Sequence, residues 1–245
     1  IKKGDVIYFS ANLLKLGKYE NQRKILDDYY KALWELVGKK GTIAYPTFNF
    51  SIINNKKIFC PRKTSSEMGV LTEFFRKKKY SYRSNHPYTS ISSEGHHSKY
   101  ICTKNSQHSY GPNSPFDRLI ILNAKFLSIG IKPNFNSSQV HHAEHMSSVP
   151  YRYFKKFNHR VKKGKKIKKK QYFMHVLSEN LIGTKRDKNR KIFNHFTKNN
   201  KITRSRCGDS TLYLYSIKKF YEANIELFNK DIYAWLSIKQ KKIFE

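Results

Sequence analysis

The sequence predicts an α/β fold: a three-layer α/β/α domain with a central mixed sheet and a smaller C-terminal subdomain. Three observations carry this expectation. Gly4-Asp5 leads into the apolar run Val6-Ile7-Tyr8-Phe9, which reads as a buried strand. A helix over roughly 20–37 follows, with Ile25, Leu26, Tyr29, Leu33, Leu36 and Val37 as a stripe of period 3.6, ended by Gly38. Gly41-Thr42-Ile43-Ala44-Tyr45 is a second short strand, stopped by Pro46. Strand, crossover helix and strand make a βαβ unit, the building block of layered α/β folds.

The remaining elements follow from local signals. Residues 51–66 read as a polar loop. Thr64 and Glu67 have capping-box spacing and are expected to open a helix over 67–78, with Val70, Leu71, Phe74 and Phe75 inward. Tyr88 to Ser92 is an expected strand. Leu119 to Asn123 and Lys125 to Ile129 read as a strand pair or one broken strand ending at Gly130. Ser137 or Ser138 caps a helix to about Ser147, and Pro150 closes it. Lys162 to Lys170 and Lys185 to Lys191 are basic runs, expected as solvated loops or hairpin turns. Thr211 to Ser216 alternates as a strand does, and residues 217–236 form an amphipathic helix carrying Phe220, Ala223, Leu227 and Phe228.

Composition bounds the function. At 245 residues with 38% hydrophobic and 15% aromatic side chains, the chain holds enough apolar surface for a core, which excludes wholesale disorder. No apolar run approaches the roughly 20 residues of a membrane span. Cys60, Cys102 and Cys207 form no CxxC pair and read as thiols of a reducing compartment, so a cytoplasmic location is expected. The chain opens at Ile1, not Met, so a further N-terminal piece is expected. Lys and Arg number 49 against 17 Asp and Glu, a formal charge of +32. Such a field draws anions: nucleic acid, phospholipid or phosphorylated ligands. The bland reading is lysine spread over solvated faces, as in chains from AT-rich genomes.

Six fragments, in order over residues 4–144, carry a resemblance. They are Gly4-Asp5 with Ser10-Ala11-Asn12-Leu13 and Leu16-Gly17; Gly41-Thr42 with Pro46-Thr47-Phe48; and Glu67-Met68-Gly69 with Glu73 and Arg76. Then come Arg83-Ser84-Asn85-His86-Pro87 with Ser90; Gly111-Pro112-Asn113-Ser114-Pro115 with Arg118; and Ser138-Gln139-Val140-His141-His142-Ala143-Glu144. Together they resemble the aminoglycoside 3-N-acetyltransferase family. Two departures stand out: the family's first-box His and second Ser are Phe9 and Ala11 here, and Ser137 and Ser138 stand where the family has Asn or Asp and Thr.

The resemblance implies an acetyl-CoA-dependent N-acetyltransferase acting on a small-molecule amino sugar. It points to an acetyl-CoA-binding catalytic core over 1–154, while the basic composition beyond 155 predicts a subdomain over 155–245 completing the same domain. His141 is the candidate general base, because imidazole titrates near working pH. Glu144, three residues on, shares its helix face and orients the ring. Ser10 and Asn12, at a strand-to-helix switch, are expected to line the CoA site. Thr47 and Ser90 are expected beside them, and Arg83 to fork onto a CoA phosphate. Glu67 and Ser137 are candidate substrate contacts. No Cys sits in the matched fragments, so direct transfer is expected over an acyl-enzyme.

The basic excess points to an acceptor on an anionic carrier, such as a nucleotide-linked or surface-glycan amino sugar, and away from the polycationic aminoglycosides. No metal is expected. His141-His142-Ala143-Glu144-His145 also spells the H-x-x-E-H zinc-peptidase signature, with Glu222 as a third ligand. A nucleic-acid-binding protein is the remaining alternative, although no helix-turn-helix, zinc-finger or RNP signature accompanies the charge.

Overall fold

The computed structural model describes residues 1–54, 57–132, 138–181 and 191–244. The strands are β1 Val6–Ala11, β2 Thr42–Pro46, β3 Tyr82–Arg83, β4 Ile91–Gly95, β5 Lys125–Ile129, β6 Arg152–Lys163, β7 Lys166–Leu177, β8 Thr203–Cys207 and β9 Ser210–Ser216. The helices are α1 Ile25–Val37, α2 Ser51–Asn54, α3 Val70–Arg76, α4 Ser98–Cys102, α5 Pro115–Ile121, α6 Ser138–Met146, α7 Lys191–Asn199, α8 Ile217–Lys230 and α9 Ile238–Lys241.

Seven strands form one mixed sheet in the order β3-β4-β2-β1-β5-β9-β8. β1 runs parallel to both β2 and β5, and the pairs β2–β4, β3–β4, β5–β9 and β8–β9 are antiparallel. The side-chain alternation of β1 divides the core. Ile7 and Phe9 point to a layer with Leu33 and Val37 of α1 and Leu71 and Phe75 of α3. Val6 and Tyr8 point the other way, to Phe116 and Leu119 of α5, Val140 and Ala143 of α6, and Phe220 of α8. The three-layer α/β/α architecture with a mixed sheet is thus the one the sequence predicts. β6 and β7 form a separate hairpin that turns at Gly164. It docks through backbone bonds between Phe59 and Arg160 and between Lys162 and Phe59 (2.9 and 2.8 Å), over buried Ile52, Phe59, Val161 and Tyr172.

Several expectations shift, each for a local reason. α1 starts at Ile25, after a turn, not at residue 20. The Thr64–Glu67 pair is not a capping box: Thr64 Oγ1 accepts from the Cys60 amide, and Glu67 accepts from the Phe50 and Ser51 amides. α3 therefore begins only at Val70, behind Gly69. The strand placed at 88–92 is β4, displaced to Ile91–Gly95. Leu119–Ile121 is the end of helix α5, followed by a turn at 122–123, because Ser114 caps α5 by accepting from the Asp117 amide and Pro115 starts its first turn. That cap outweighs the β propensity of Ile120 and Ile121. α8 stops at Lys230, since Asp231 turns extended and caps the following turn through Tyr233. The run 162–170 is a hairpin tip, and the run 185–191 lies outside the described residues apart from Lys191.

Burial holds several imidazoles neutral. It pushes His86 and His142 down to about 3, with smaller contributions from neighbouring histidines. A folded pKa below the unfolded value of about 6.5 means that the unfolded chain takes up protons first as pH falls. Stability is therefore full above pH ~6.5 and is lost progressively as pH drops toward the folded values. Thermal melts at pH 7 and pH 5 should show a lower midpoint at pH 5, with each fully buried imidazole worth roughly 2 kcal/mol there. His142→Gln should flatten this dependence, and a wild-type midpoint unchanged between the two values would contradict it.

Candidate active site

Two features stand out. The first is a cavity of about 800 Å³ at the carboxyl ends of β1 and β5, lined by Asn12, Leu13, Gly17, Leu26, Gly69 and Ile131 among others. Parallel strands on both sides of β1 make this the crevice where α/β sheets receive ligands. Close approach creates it. Gly130, with φ of +67°, ends β5 where a Cβ would stand 2.4 Å from the Asn12 carbonyl oxygen. The Asn12 amide donates to the Ile129 carbonyl at 2.9 Å, which fixes the turn 11–16 against β5. Leu14 and Val70 line the cavity, yet are 93% and 67% exposed, leaving an apolar mouth open to a ligand.

The second is a polar cluster on α6. His141 Nδ1 stands 2.7 Å from Glu144 Oε2, and Arg152 Nε stands 2.6 Å from the same oxygen. Glu144 is fully buried. Burial by itself raises a carboxyl pKa, but the Arg152 charge and the His141 bond outweigh it, and the net shift is downward. Arg152 Nη2 also lies 3.1 Å from His141 Nδ1, and one nitrogen cannot accept there while donating to Glu144. The short contact to a charged carboxylate is the stronger bond, so we assign the Nδ1 hydrogen to Glu144, which leaves the ring's lone pair on Nε2. The ring packs between Tyr110 and Trp235, with centroids at 5.6 and 5.5 Å. Arg152, Tyr110 and Trp235 were absent from the sequence reading, because each reaches α6 from a distant element and no local spacing signals it.

The remaining predicted site residues fall into three places. Asn12 lines the cavity; Ser10, two residues earlier in β1, pairs in register with Ser128. Thr47, Arg83 and Ser90 form a buried network of their own and do not line it. Arg83 Nε donates to Ser90 Oγ at 2.9 Å, its Nη1 donates to the Thr64 carbonyl and its Nη2 to the Thr47 carbonyl. Most of the fork expected on a CoA phosphate thus ties the 61–64 loop to β2 and β4. Burial lowers the Arg83 pKa to about 9. Glu67 caps the start of α2 with bonds of 2.7 and 2.6 Å from the Phe50 amide and the Ser51 hydroxyl. Ser137 lies outside the described residues.

The zinc-peptidase reading needs Glu144 as a base between two histidine ligands. Here Glu144 is instead committed to His141 and Arg152, while His145 faces His108, His175 and Phe154. Glu222 sits on α8, 3.9 Å from Lys218. Among the described residues, no group of three or more His, Cys, Asp or Glu side chains could hold a metal ion.

The described residues thus hold a cavity at the crevice of an α/β sheet and, on α6, a histidine paired with a buried carboxylate. The sequence profile of the aminoglycoside 3-N-acetyltransferase family matches residues 10–229, and the chain belongs to that family. It is therefore an acetyl-CoA-dependent N-acetyltransferase. Among solved structures, that of AAC-IIIb with CoASH aligns at a TM-score of 0.79 and 19% identity, covering 94% of this chain and 91% of that one. AAC-VIa bound to sisomicin aligns at 0.80 and 18%, covering 94% and 92%. YokD from Bacillus subtilis aligns at 0.78 and 21%, covering 94% and 89%. No curated protein sequence matches the chain significantly. Among the described residues, no helix is long and apolar enough to cross a membrane.

Removing Arg152 would leave Glu144 buried with one partner. Arg152→Ala should cost about 3–5 kcal/mol in denaturant unfolding, the usual result of breaking a buried pair. Arg152→Ala together with Glu144→Gln should recover much of it. A double variant no more stable than the single one would show that the pair carries no such coupling.

Proposed function

We propose that this chain transfers acetyl directly from acetyl-CoA to an amino group of a sugar, with His141 as general base. The observation that carries the reading is the His141–Glu144–Arg152 arrangement. An ionised carboxylate 2.7 Å from Nδ1 holds the tautomer whose Nε2 can take a proton and stabilises the imidazolium that results. In this scheme the amine nitrogen attacks the thioester carbonyl carbon and Nε2 receives the amine proton. The carbon–sulfur bond breaks, and the CoA thiolate leaves and is protonated. The apolar-mouthed cavity at Asn12 and Gly69 suits the pantetheine arm of CoA, whose thioester would enter beside the end of β1. Ser10 belongs to the same strand end. Thr47, Arg83 and Ser90 lie apart from this cavity, and in this reading they brace β2 and β4 and do not touch CoA. The chemistry and the free thiols fit a cytoplasmic enzyme.

We further propose that the acceptor is an amino sugar on an anionic carrier. A polycationic aminoglycoside needs open carboxylates, and Glu144 is neutralised by Arg152. Five further acids each have a partner. Asp27 pairs with Lys78, Asp28 with the Tyr19 hydroxyl, Glu67 with Ser51, Glu73 with Arg76 and Asp117 with the Asn113 amide. The second reading is an aminoglycoside acceptor, favoured by the family itself and by the sisomicin held in AAC-VIa.

Two measurements test these readings. Acetyl-CoA should raise the melting temperature, because it binds only the native state. His141→Ala should keep that rise and lose about 10²–10⁴-fold in turnover, the usual contribution of a positioned base; wild-type turnover in the variant would remove His141 from the role. In a screen that reads released thiol, nucleotide-linked amino sugars should turn over and kanamycin- or gentamicin-type compounds should not. The reverse pattern would overturn the anionic carrier and leave the transferase standing.

A further inference from the structure

The basic hairpin is not used by the transfer reaction, and its geometry is specific. β6 and β7 pair so that Val161 faces Lys168, His159 faces Lys170 and Lys163 faces Lys166. Alternation then puts Lys166, Lys168 and Lys170 on one face with Lys163, Val161 and Tyr172. At its base this face packs on the body, where Val161 and Tyr172 are 6% and 2% exposed, and toward the tip its four lysines are exposed. Those four lysines, with Asn85, line a cavity of about 280 Å³. A second cavity of about 470 Å³ abuts it, sharing Asn85 and Lys163, and adds Arg62, Lys99, Lys104 and Lys162. No carboxylate appears in either lining. Among the described residues, none of Lys162, Lys163, Lys166, Lys168 and Lys170 has a carboxylate within the 4.0 Å of an ion pair.

Cations brought together without counter-charge repel one another, and lysine is free to turn outward unless something favours the cluster. We propose that this cleft between the hairpin and β3 is a binding site for a multiply charged phosphate chain, a phosphoanhydride such as inorganic polyphosphate or the di- or triphosphate of a nucleotide. Its concavity selects the ligand. The four lysines are exposed at the mouth of the cleft, but a flat bilayer cannot follow the concave surface that they line with Asn85 and Tyr172. A single nucleic-acid strand binds through charge together with stacked bases. Here Tyr172 is closed off beneath the cleft, which leaves Tyr82 at the rim as the accessible lining ring. A compact polyanion needs neither a plane nor stacking.

The cleft is separate from the transfer site. It shares no lining residue with the cavity at Asn12. Lys163 lies at the far end of β6 from Arg152, roughly 35 Å along a strand rising about 3.3 Å per residue. A phosphate chain there does not carry an amine that is positioned at His141.

Calorimetric titration with sodium tripolyphosphate, in the presence of saturating acetyl-CoA, tests the site. One equivalent should bind, more weakly at higher salt. The variant with Lys163, Lys166, Lys168 and Lys170 all changed to Gln should bind at least about tenfold more weakly. The control with Lys156→Gln and Lys169→Gln, on the opposite face of the hairpin, should bind as wild type does. Melting without ligand checks that both variants fold, and transfer activity should be unchanged in both. If ATP matches tripolyphosphate, the phosphate chain alone is read; tighter ATP binding identifies a nucleotide as the source. Equal loss in both variants would reveal a diffuse field and overturn the proposal. So would the absence of tripolyphosphate binding, displacement of the probe by acetyl-CoA, or binding confined to oligonucleotides or phosphatidylserine vesicles.

Discussion

The structure depends on one constraint: β1 must be buried on both faces at once. It lies between two parallel neighbours, so successive side chains go alternately into two different cores. Phe9 shows the consequence. Where the family places a histidine, Phe9 is fully buried, with its ring 5.5 Å from Tyr45 and 5.2 Å from Phe75. Its position is part of the α1–α3 core, and an aromatic ring fills that space without an unpaired polar atom to satisfy. The departure therefore alters the lining of the core and leaves the strand end at Ser10 to Asn12 in place.

The same strand underlies both halves of the proposed site. Its carboxyl end, clamped to β5 by the Asn12 amide and by the close approach of Gly130, opens the apolar-mouthed cavity. Its Val6 and Tyr8 face supports the layer that contains α6. On that helix, Glu144 stays charged although buried, because Arg152 compensates it and His141 reaches it. Low polarity strengthens such a pair, and it makes the pair fragile when one member is removed.

The basic excess is partitioned by the fold into distinct roles. Arg83 and Arg118 are buried and donate to backbone carbonyls, Arg118 to those of Tyr100, Thr103 and Lys104. These two act as internal ties, although Arg83 also lines the basic cleft. Arg152 is spent on Glu144. The hairpin lysines remain, concentrated along one paired ribbon. A net charge read from composition treats all of these alike, although they differ in solvation and in partners.

Local signals made the βαβ opening, the strand at 125–129 and the helix carrying His141 and Glu144 legible in the sequence. Each depends on residues within a turn or two of one another. Spacing alone placed those two side chains on one face of α6, and their 2.7 Å contact follows. Leu119 to Asn123 resembles a strand in its apolar run, while the Ser114-Pro115 start that makes Leu119–Ile121 helical lies upstream. What only the tertiary structure decided is which distant groups meet. Arg152 arrives at Glu144 from β6, Trp235 at His141 from beyond α8, and the Thr47–Arg83–Ser90 network closes on itself away from the cavity. Sequence spacing encodes neighbours through the repeat of a helix or strand. Contacts across layers are set by how the faces of β1 are covered, and that geometry exists only once the whole sheet has packed.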